Sequence, residues 1–167
     1  MKKVFAKIVL ISAVFVLTLS IVGCSFLNPK DKVFSKEGMS ITLNESFYES
    51  DIITQTAYYA SLEAIVTALK EDGSIIGDCT VTEYAEMICE VNKFDPDSVV
   101  TKDGYAEFTY EKELNGKEFY YYARCLHDGK DFWLFQFACE TKNTEKYTPL
   151  FEKWASSISF ENDYSKI

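Results

Sequence analysis

Hydrophobic and polar positions change their period several times along this chain, and each change marks an element. Residues 8–21 are uncharged and nearly all apolar, behind Lys2, Lys3 and Lys7. From Val33 the pattern turns short and alternating. Val33–Leu43 predicts a hairpin, two apolar-alternating runs around a Glu37-Gly38 turn. Asn44-Glu45-Ser46-Phe47 follows as a turn or a short helix. Over 58–70, Leu62, Ala64, Val66 and Ala68 alternate with Glu63, Ile65, Thr67 and Leu69 around a β-branched centre. That predicts one strand, buried on both faces. Glu71-Asp72-Gly73-Ser74 reads as a turn, with a loop running on to Asp78. Thr80-Val81-Thr82-Glu83 has the form of a capping box. Tyr84, Met87, Ile88 and Val91 then recur at helical spacing, so 81–92 predicts an amphipathic helix, ended by Asn92 and the Asp95-Pro96-Asp97 turn.

The clearest pattern lies in 104–140. Tyr105–Leu114, Lys117–Leu126 and Lys130–Glu140 read as strands joined by Asn115-Gly116 and Asp128-Gly129. Both dipeptides suit two-residue type I′ turns, which need positive φ at each position. The result is a three-stranded antiparallel meander. Its register sets Arg124 opposite Glu107 and Cys125 opposite Phe132. Tyr120, Tyr122, Leu126, Trp133, Phe135 and Phe137 share the face of Arg124. Phe108, Tyr110, Phe119, Tyr121, Ala123, Phe132 and Leu134 share the other. Both faces are apolar, so both need cover. The 81–92 helix is one cover. A C-terminal helix, capped at Thr148 with Pro149 in its first position and Leu150, Phe151 and Trp154 as its stripe, is the other. Ser157–Phe160 returns as a last strand, and 162–167 reads as a frayed end.

The apolar run at the N-terminus is laid out as a secretory signal, and it is short for a membrane span of about 20 residues. It ends in Ile21-Val22-Gly23-Cys24, which resembles a bacterial lipobox. The resemblance implies a diacylglyceryl group on the Cys24 sulfur, removal of residues 1–23, and a palmitate-type lipid anchor at the new N-terminus. Two or more acyl chains anchor a protein stably, at about 0.8 kcal/mol per buried CH₂. Residues 24–32, with Pro29 and alternating charges, then read as a lipidated tether, and 33–161 as a single domain.

Composition sharpens this. The chain has 167 residues, 47% of them hydrophobic and 16% aromatic, enough for a real core. Its formal charge is −9. Without Lys2, Lys3 and Lys7 the mature chain keeps 14 basic against 26 acidic side chains, or −12. That balance repels polyphosphate and anionic headgroups, so nucleic acid is excluded as a partner and the domain stands off the bilayer on its tether.

The chemistry-bearing residues are few. His127 is the only histidine and abuts the Asp128-Gly129 turn, so it builds no triad or metal site with neighbours of its own kind. No phosphate loop, dinucleotide fingerprint or EF-hand spacing occurs. Neither a cofactor nor a catalytic role is expected. Arg124, the only arginine, lies mid-strand among aromatics. Two uses fit it: a structural pair with Glu107, or a fork for a ligand carboxylate in a groove lined by Tyr120, Tyr122 and Trp133. Four cysteines remain after Cys24. Cys79 and Cys89 sit about 15 Å apart at the two ends of one helix region. Cys125 and Cys139 point to opposite faces of the meander. A disulfide would therefore tie helix to sheet, Cys139 with Cys79 or Cys89, and free buried thiols are the alternative. The runs Tyr58-Tyr59 and Tyr120-Tyr121-Tyr122 suit either a two-faced core or a contact surface.

The order of elements resembles the PsbP-like fold, an α+β protein in which helices flank both faces of an antiparallel sheet as an α/β/α sandwich. More closely it resembles small lipoproteins of Gram-positive bacteria built on that fold. Ser40-Ile41-Thr42-Leu43 with Phe47, Thr82-Glu83-Tyr84, Phe108-Thr109-Tyr110-Glu111-Lys112, Asn115-Gly116-Lys117, Phe132 to Phe137 and Phe151-Glu152-Lys153-Trp154 carry the likeness. These are packing and turn residues, so no activity is carried over. The resemblance implies a binding module of the kind found in photosystem II and GTPase-binding relatives. The expected function is a membrane-anchored, extracytoplasmic lipoprotein that binds protein without catalysis. The alternative is a small-ligand or carbohydrate-binding lipoprotein using the face near Arg124.

Overall fold

The computed structural model describes residues 29–161, so the signal segment, Cys24, most of the tether and the 162–167 end lie outside the described residues. No helix within them is long and apolar enough to cross a membrane.

The first hairpin pairs β1 (Asp31–Lys36) with β2 (Met39–Asn44). Glu37 and Gly38 both take positive φ, 54° and 83°, which closes it as a two-residue turn. Asp31 and Lys32, read as the end of the tether, are the first residues of β1. Met39, Ile41 and Leu43 alternate inward along β2.

After β3 (Tyr48–Glu49), the single strand expected over 58–70 is two strands, β4 (Ala57–Ala60) and β5 (Ala64–Glu71), folded against each other. Ser61 makes the break. Its hydroxyl accepts from the Ala64 N–H at 3.1 Å and donates to the Ala64 carbonyl at 3.0 Å, a local bond that competes with the ladder. In the sequence the even-numbered apolar positions run straight through this turn and conceal it, whereas in the structure Ala57 and Tyr59 share the inward face with Ala64, Val66 and Ala68.

A single helical turn, α1 (Gly73–Ile76), occupies the expected turn and loop. Helix α2 (Val81–Asn92) has the expected bounds. Thr80 Oγ1 accepts from Glu83 N, and Glu83 Oε2 accepts from Thr80 N at 2.7 Å, which closes the capping box. A three-residue strand, β6 (Val100–Lys102), pairs with the meander's first strand.

The meander comprises β7 (Tyr105–Leu114), β8 (Lys117–His127) and β9 (Phe132–Glu140). Asn115 and Gly116 have φ of 53° and 75°, as a type I′ turn requires. The second connection is longer than expected. Asp128 Oδ1 accepts from both Lys130 N and Asp131 N, at 2.9 and 2.8 Å, so the loop closes at Asp131. Cys125 therefore faces Leu134, two residues from the expected Phe132. A shift of two preserves every face assignment, because the side-chain period is two.

The C-terminal helix, α3 (Thr144–Ala155), starts four residues before the expected Thr148 cap. Thr148 donates instead to the Thr144 carbonyl at 2.9 Å, one turn back. Pro149 lies inside the helix, at a position that usually costs about 3 kcal/mol. Burial of Tyr147, Phe151, Trp154 and Ala155 offsets it. β10 (Ser159–Phe160) returns to pair with β2.

Among the described residues two antiparallel sheets result: β1-β2-β10, and the seven-stranded β3-β4-β5-β9-β8-β7-β6. On one face of the large sheet, Tyr122, Trp133, Phe135 and Phe137 meet α3 and the small sheet. On the other, Phe108, Ala123, Phe132 and Leu134 meet Tyr84, Ala85, Ile88 and Cys89 of α2. The α+β class and the two-faced cover expected from the sequence are what the structure shows.

Candidate functional site

Arg124 stands opposite Glu107 in the β7–β8 ladder and is 5% exposed. Its Nη2 donates to Glu107 Oε2 at 3.3 Å and to the Tyr122 hydroxyl at 2.6 Å, and its Nε donates to the same hydroxyl at 3.2 Å. The Tyr122 hydroxyl in turn donates a hydrogen bond to Glu107 Oε2 at 2.5 Å. The guanidinium lies 4.1 Å from the ring centre of Tyr105. The fork is therefore occupied from inside the chain. Burial, and then the Glu107 carboxylate, push the Tyr122 phenol far above its ordinary value, so it stays protonated at physiological pH.

The aromatic groove expected around Arg124 is closed. Tyr122 and Trp133 are buried, and Tyr120 is packed against the α3-side core with its ring parallel to Phe151. Trp133 is fully enclosed, and its indole N–H donates to Asp128 Oδ2 at 2.8 Å. Lys70 Nζ sits 5.3 Å from the Trp133 ring and 3.2 Å from the buried Asp131 carboxylate. Burial alone would raise the Asp128 carboxyl. The Asp131 N–H, the Trp133 indole and the Lys130 N–H outweigh it and hold that carboxyl below its usual range. His127 Nδ1 accepts from Gly129 N at 3.2 Å, and its ring lies 4.5 Å from Phe132. Both groups serve the 128–131 loop.

The four thiols are free. Cys89 and Cys125 lie in the α2-side core, and Cys139 lies in the core across the sheet. The expected bridge from Cys139 to Cys79 or Cys89 would have to pass through the sheet. Burial pushes the Cys89 and Cys139 thiols up to about 11, which makes them poor nucleophiles. Among the described residues no group of three or more histidine, cysteine or acidic side chains is placed to hold a metal ion.

Among the described residues, clefts open elsewhere. One of about 230 Å³ lies at Glu37, Lys70, Asp128, Lys130 and Phe160. The other, about 160 Å³, lies between the β4–β5 turn, the start of β8 and the turn before α3. Neither is lined by Arg124. The second was missed in the sequence, because its parts come from three separate turns. Asn115-Gly116 marks one of them, and Ser61 and Thr141 mark breaks that the hydrophobic pattern does not show.

No protein-family model matches the chain, and a search of curated protein sequences finds no match. Solved structures do resemble it. The Ran-binding protein Mog1p of Saccharomyces cerevisiae aligns with a TM-score of 0.57 at 6% identity, over 81% of this chain and 97% of that one. LpqN of Mycobacterium tuberculosis, described as involved in cell envelope biogenesis, aligns at 0.51 and 8% identity, over 78% and 90%. Cyanobacterial PsbP from Synechocystis aligns at 0.49 and 9%, over 84% and 98%. At such identities the likeness to Mog1p and LpqN is one of fold.

Proposed function

We propose that this chain is a non-enzymatic protein-binding module, held on the outer face of a cell membrane by lipid on Cys24. The observation that carries the reading is the fold, shared across 97% of the length of a protein described as Ran-binding. The envelope role named for LpqN agrees with the export signal and lipobox at residues 1–24. The state of the reactive groups adds support. Arg124 directs its Nε and Nη2 donors to Tyr122 and Glu107, and burial raises the thiols of Cys89 and Cys139. The small-ligand reading has less behind it, since Tyr122 and Trp133 are closed to solvent.

Two measurements test the proposal. In cells fed a labelled fatty acid, Cys24→Ala should abolish both the label and membrane association. If both persist, the anchor is wrong. Crosslinking on intact cells should recover a protein that then binds the purified chain directly and saturably. Saturable binding of a small metabolite with no such protein would replace the reading.

A further inference from the structure

We propose that the cleft beside the β1–β2 turn is the seat of the chain's own residues 162–167, with the Tyr164 ring laid against Phe160. This goes beyond the protein-binding reading and stands without it.

Where the described chain stops comes first. β10 follows β2 one residue past its last ladder pair, because the Glu161 N–H donates to the Gly38 carbonyl at 2.9 Å. Glu37 and Gly38 form the turn, so β2 ends there as a template for β10. That point is the wall of a cleft. Its lining comprises Glu37, Lys70, Asp128, Lys130, Asp131 and Phe160, together with Gly38 itself. Gly38 leaves open space, since a Cβ built on it would meet nothing within 4 Å. Tyr164 follows Glu161 by three residues, which span about 10 Å at full extension. A segment held at the rim by so short a link acts at an effective concentration of about millimolar. An unlinked occupant has to compete with that.

Size and shape suit a side chain. The cleft holds about 230 Å³, and sites for drug-sized molecules start at about 300 Å³. Phe160 is its aromatic wall, with its ring 5.4 Å from that of Trp133. Along β10, Ser159 is exposed while Phe160 packs against the core. Side chains alternate along an extended chain, so Tyr164 and Lys166 fall on the side of Phe160. The rest of the lining is charged with both signs. A phenol presents an apolar face to Phe160 and a hydroxyl that both donates and accepts.

Charge favours the same segment. Lys70 and Lys130 stand against Glu37, Asp128 and Asp131, which sums to −1. Both ammonium groups go to Asp131, at 3.2 and 4.0 Å. The Asp128 oxygens accept the Lys130 and Asp131 N–H groups and the Trp133 indole. Glu37 is exposed on the turn, and Lys166 is the cation that residues 162–167 bring to it. A surface pair adds little, so the ring carries the docking.

The test uses the full chain in detergent micelles. With Tyr164→p-benzoylphenylalanine, irradiation should join residue 164 to the peptides that carry Glu37-Gly38 or Asp128–Phe132. The joins should lie within one chain, with a yield unchanged on dilution. In ¹⁵N spectra, Tyr164→Ala should move the amides of Lys70, Lys130 and Asp131 and leave those of Val81–Asn92 in place. A chain ended after Glu161 should move the same three amides at least as far. Crosslinks that are absent, scattered over the surface or formed only between copies would overturn the proposal. So would a Tyr164→Ala spectrum that matches the parent at those three amides. Should the shortened chain fail to fold, the crosslink and the point variant still decide. Either outcome leaves the protein-binding reading where it stands.

Discussion

Arg124→Ala tests whether the only arginine is a brace or a receptor. The substitution removes the ion pair to Glu107, two hydrogen bonds onto Tyr122 and the cation over Tyr105. Breaking a buried pair from one side costs about 3–5 kcal/mol, because the partner charge stays behind. Glu107 keeps 21% side-chain exposure and still accepts from Tyr122, so water and that bond shield it. The expected cost is at the low end, about 3 kcal/mol. For a domain of this size that lowers Tm by roughly 10 °C. Trp133 and Trp154 are both buried, so their fluorescence reports the core during urea unfolding, and far-UV circular dichroism checks that the transition is two-state. Arg124→Met with Glu107→Gln supplies the control. It removes both charges and leaves Tyr122 an acceptor, so stability should return to within about 1 kcal/mol of the parent. A cost below about 0.5 kcal/mol for Arg124→Ala would refute the brace. A double variant as damaged as the single one would mean that packing, and not an orphaned charge, carries the loss.

Three other outcomes follow from local geometry. Glu71 accepts from the buried Tyr84 hydroxyl, and burial raises its carboxyl above the ordinary value. A raised folded pKa gives stability that is complete below the unfolded value near 4.5 and is lost as pH climbs through the folded one. Thermal melts of Glu71→Gln, which keeps an acceptor for Tyr84, should match the parent in acid and exceed it at neutral pH; a deficit that grows with pH would contradict this. Gly73→Ala would set its Cβ 2.1 Å from the Lys130 carbonyl oxygen, a backbone atom that cannot swing away. A loss of about 1–3 kcal/mol is expected in urea melts, and no loss would show that the 128–131 loop yields freely. Thr80→Ala opens the capping box and should cost about 1 kcal/mol; faster amide exchange confined to the first turn of α2 would confirm the origin.

Local chemistry was legible wherever one residue type decides a backbone shape. Glu37-Gly38 and Asn115-Gly116 closed as read because both turns need positive φ. The α2 cap was readable from four consecutive residues. The errors share a cause: a polar side chain made a local bond that hydrophobic period does not register. Ser61 breaks an unbroken alternation, Asp128 lengthens a loop by holding two N–H groups, and Thr148 bonds backward where a cap was expected.

The candidate site was hidden for a different reason. Arg124 attracts notice as a lone charge in an aromatic strand, and that rarity opened a receptor reading beside the structural pair with Glu107. Its pairing with Glu107 is a register fact, readable from the Asn115-Gly116 turn, and it turns the arginine inward. The cleft at Leu62 has no rare residue in it. Lys117 and Glu140 are 23 positions apart, and Glu63 and Lys146 are 83 apart. Lys117 meets Glu140 because β8 and β9 are neighbours in the sheet, and Lys146 reaches Glu63 from α3. The β4–β5 break, which the alternation concealed, sets where Leu62 lies. With 58–70 taken as one strand, Leu62 belongs to a buried row. Once Ser61 turns the chain, the same leucine stands outside, next to two lysines sharing one carboxylate. A single hydroxyl therefore decides whether Leu62 is read as buried or stands exposed.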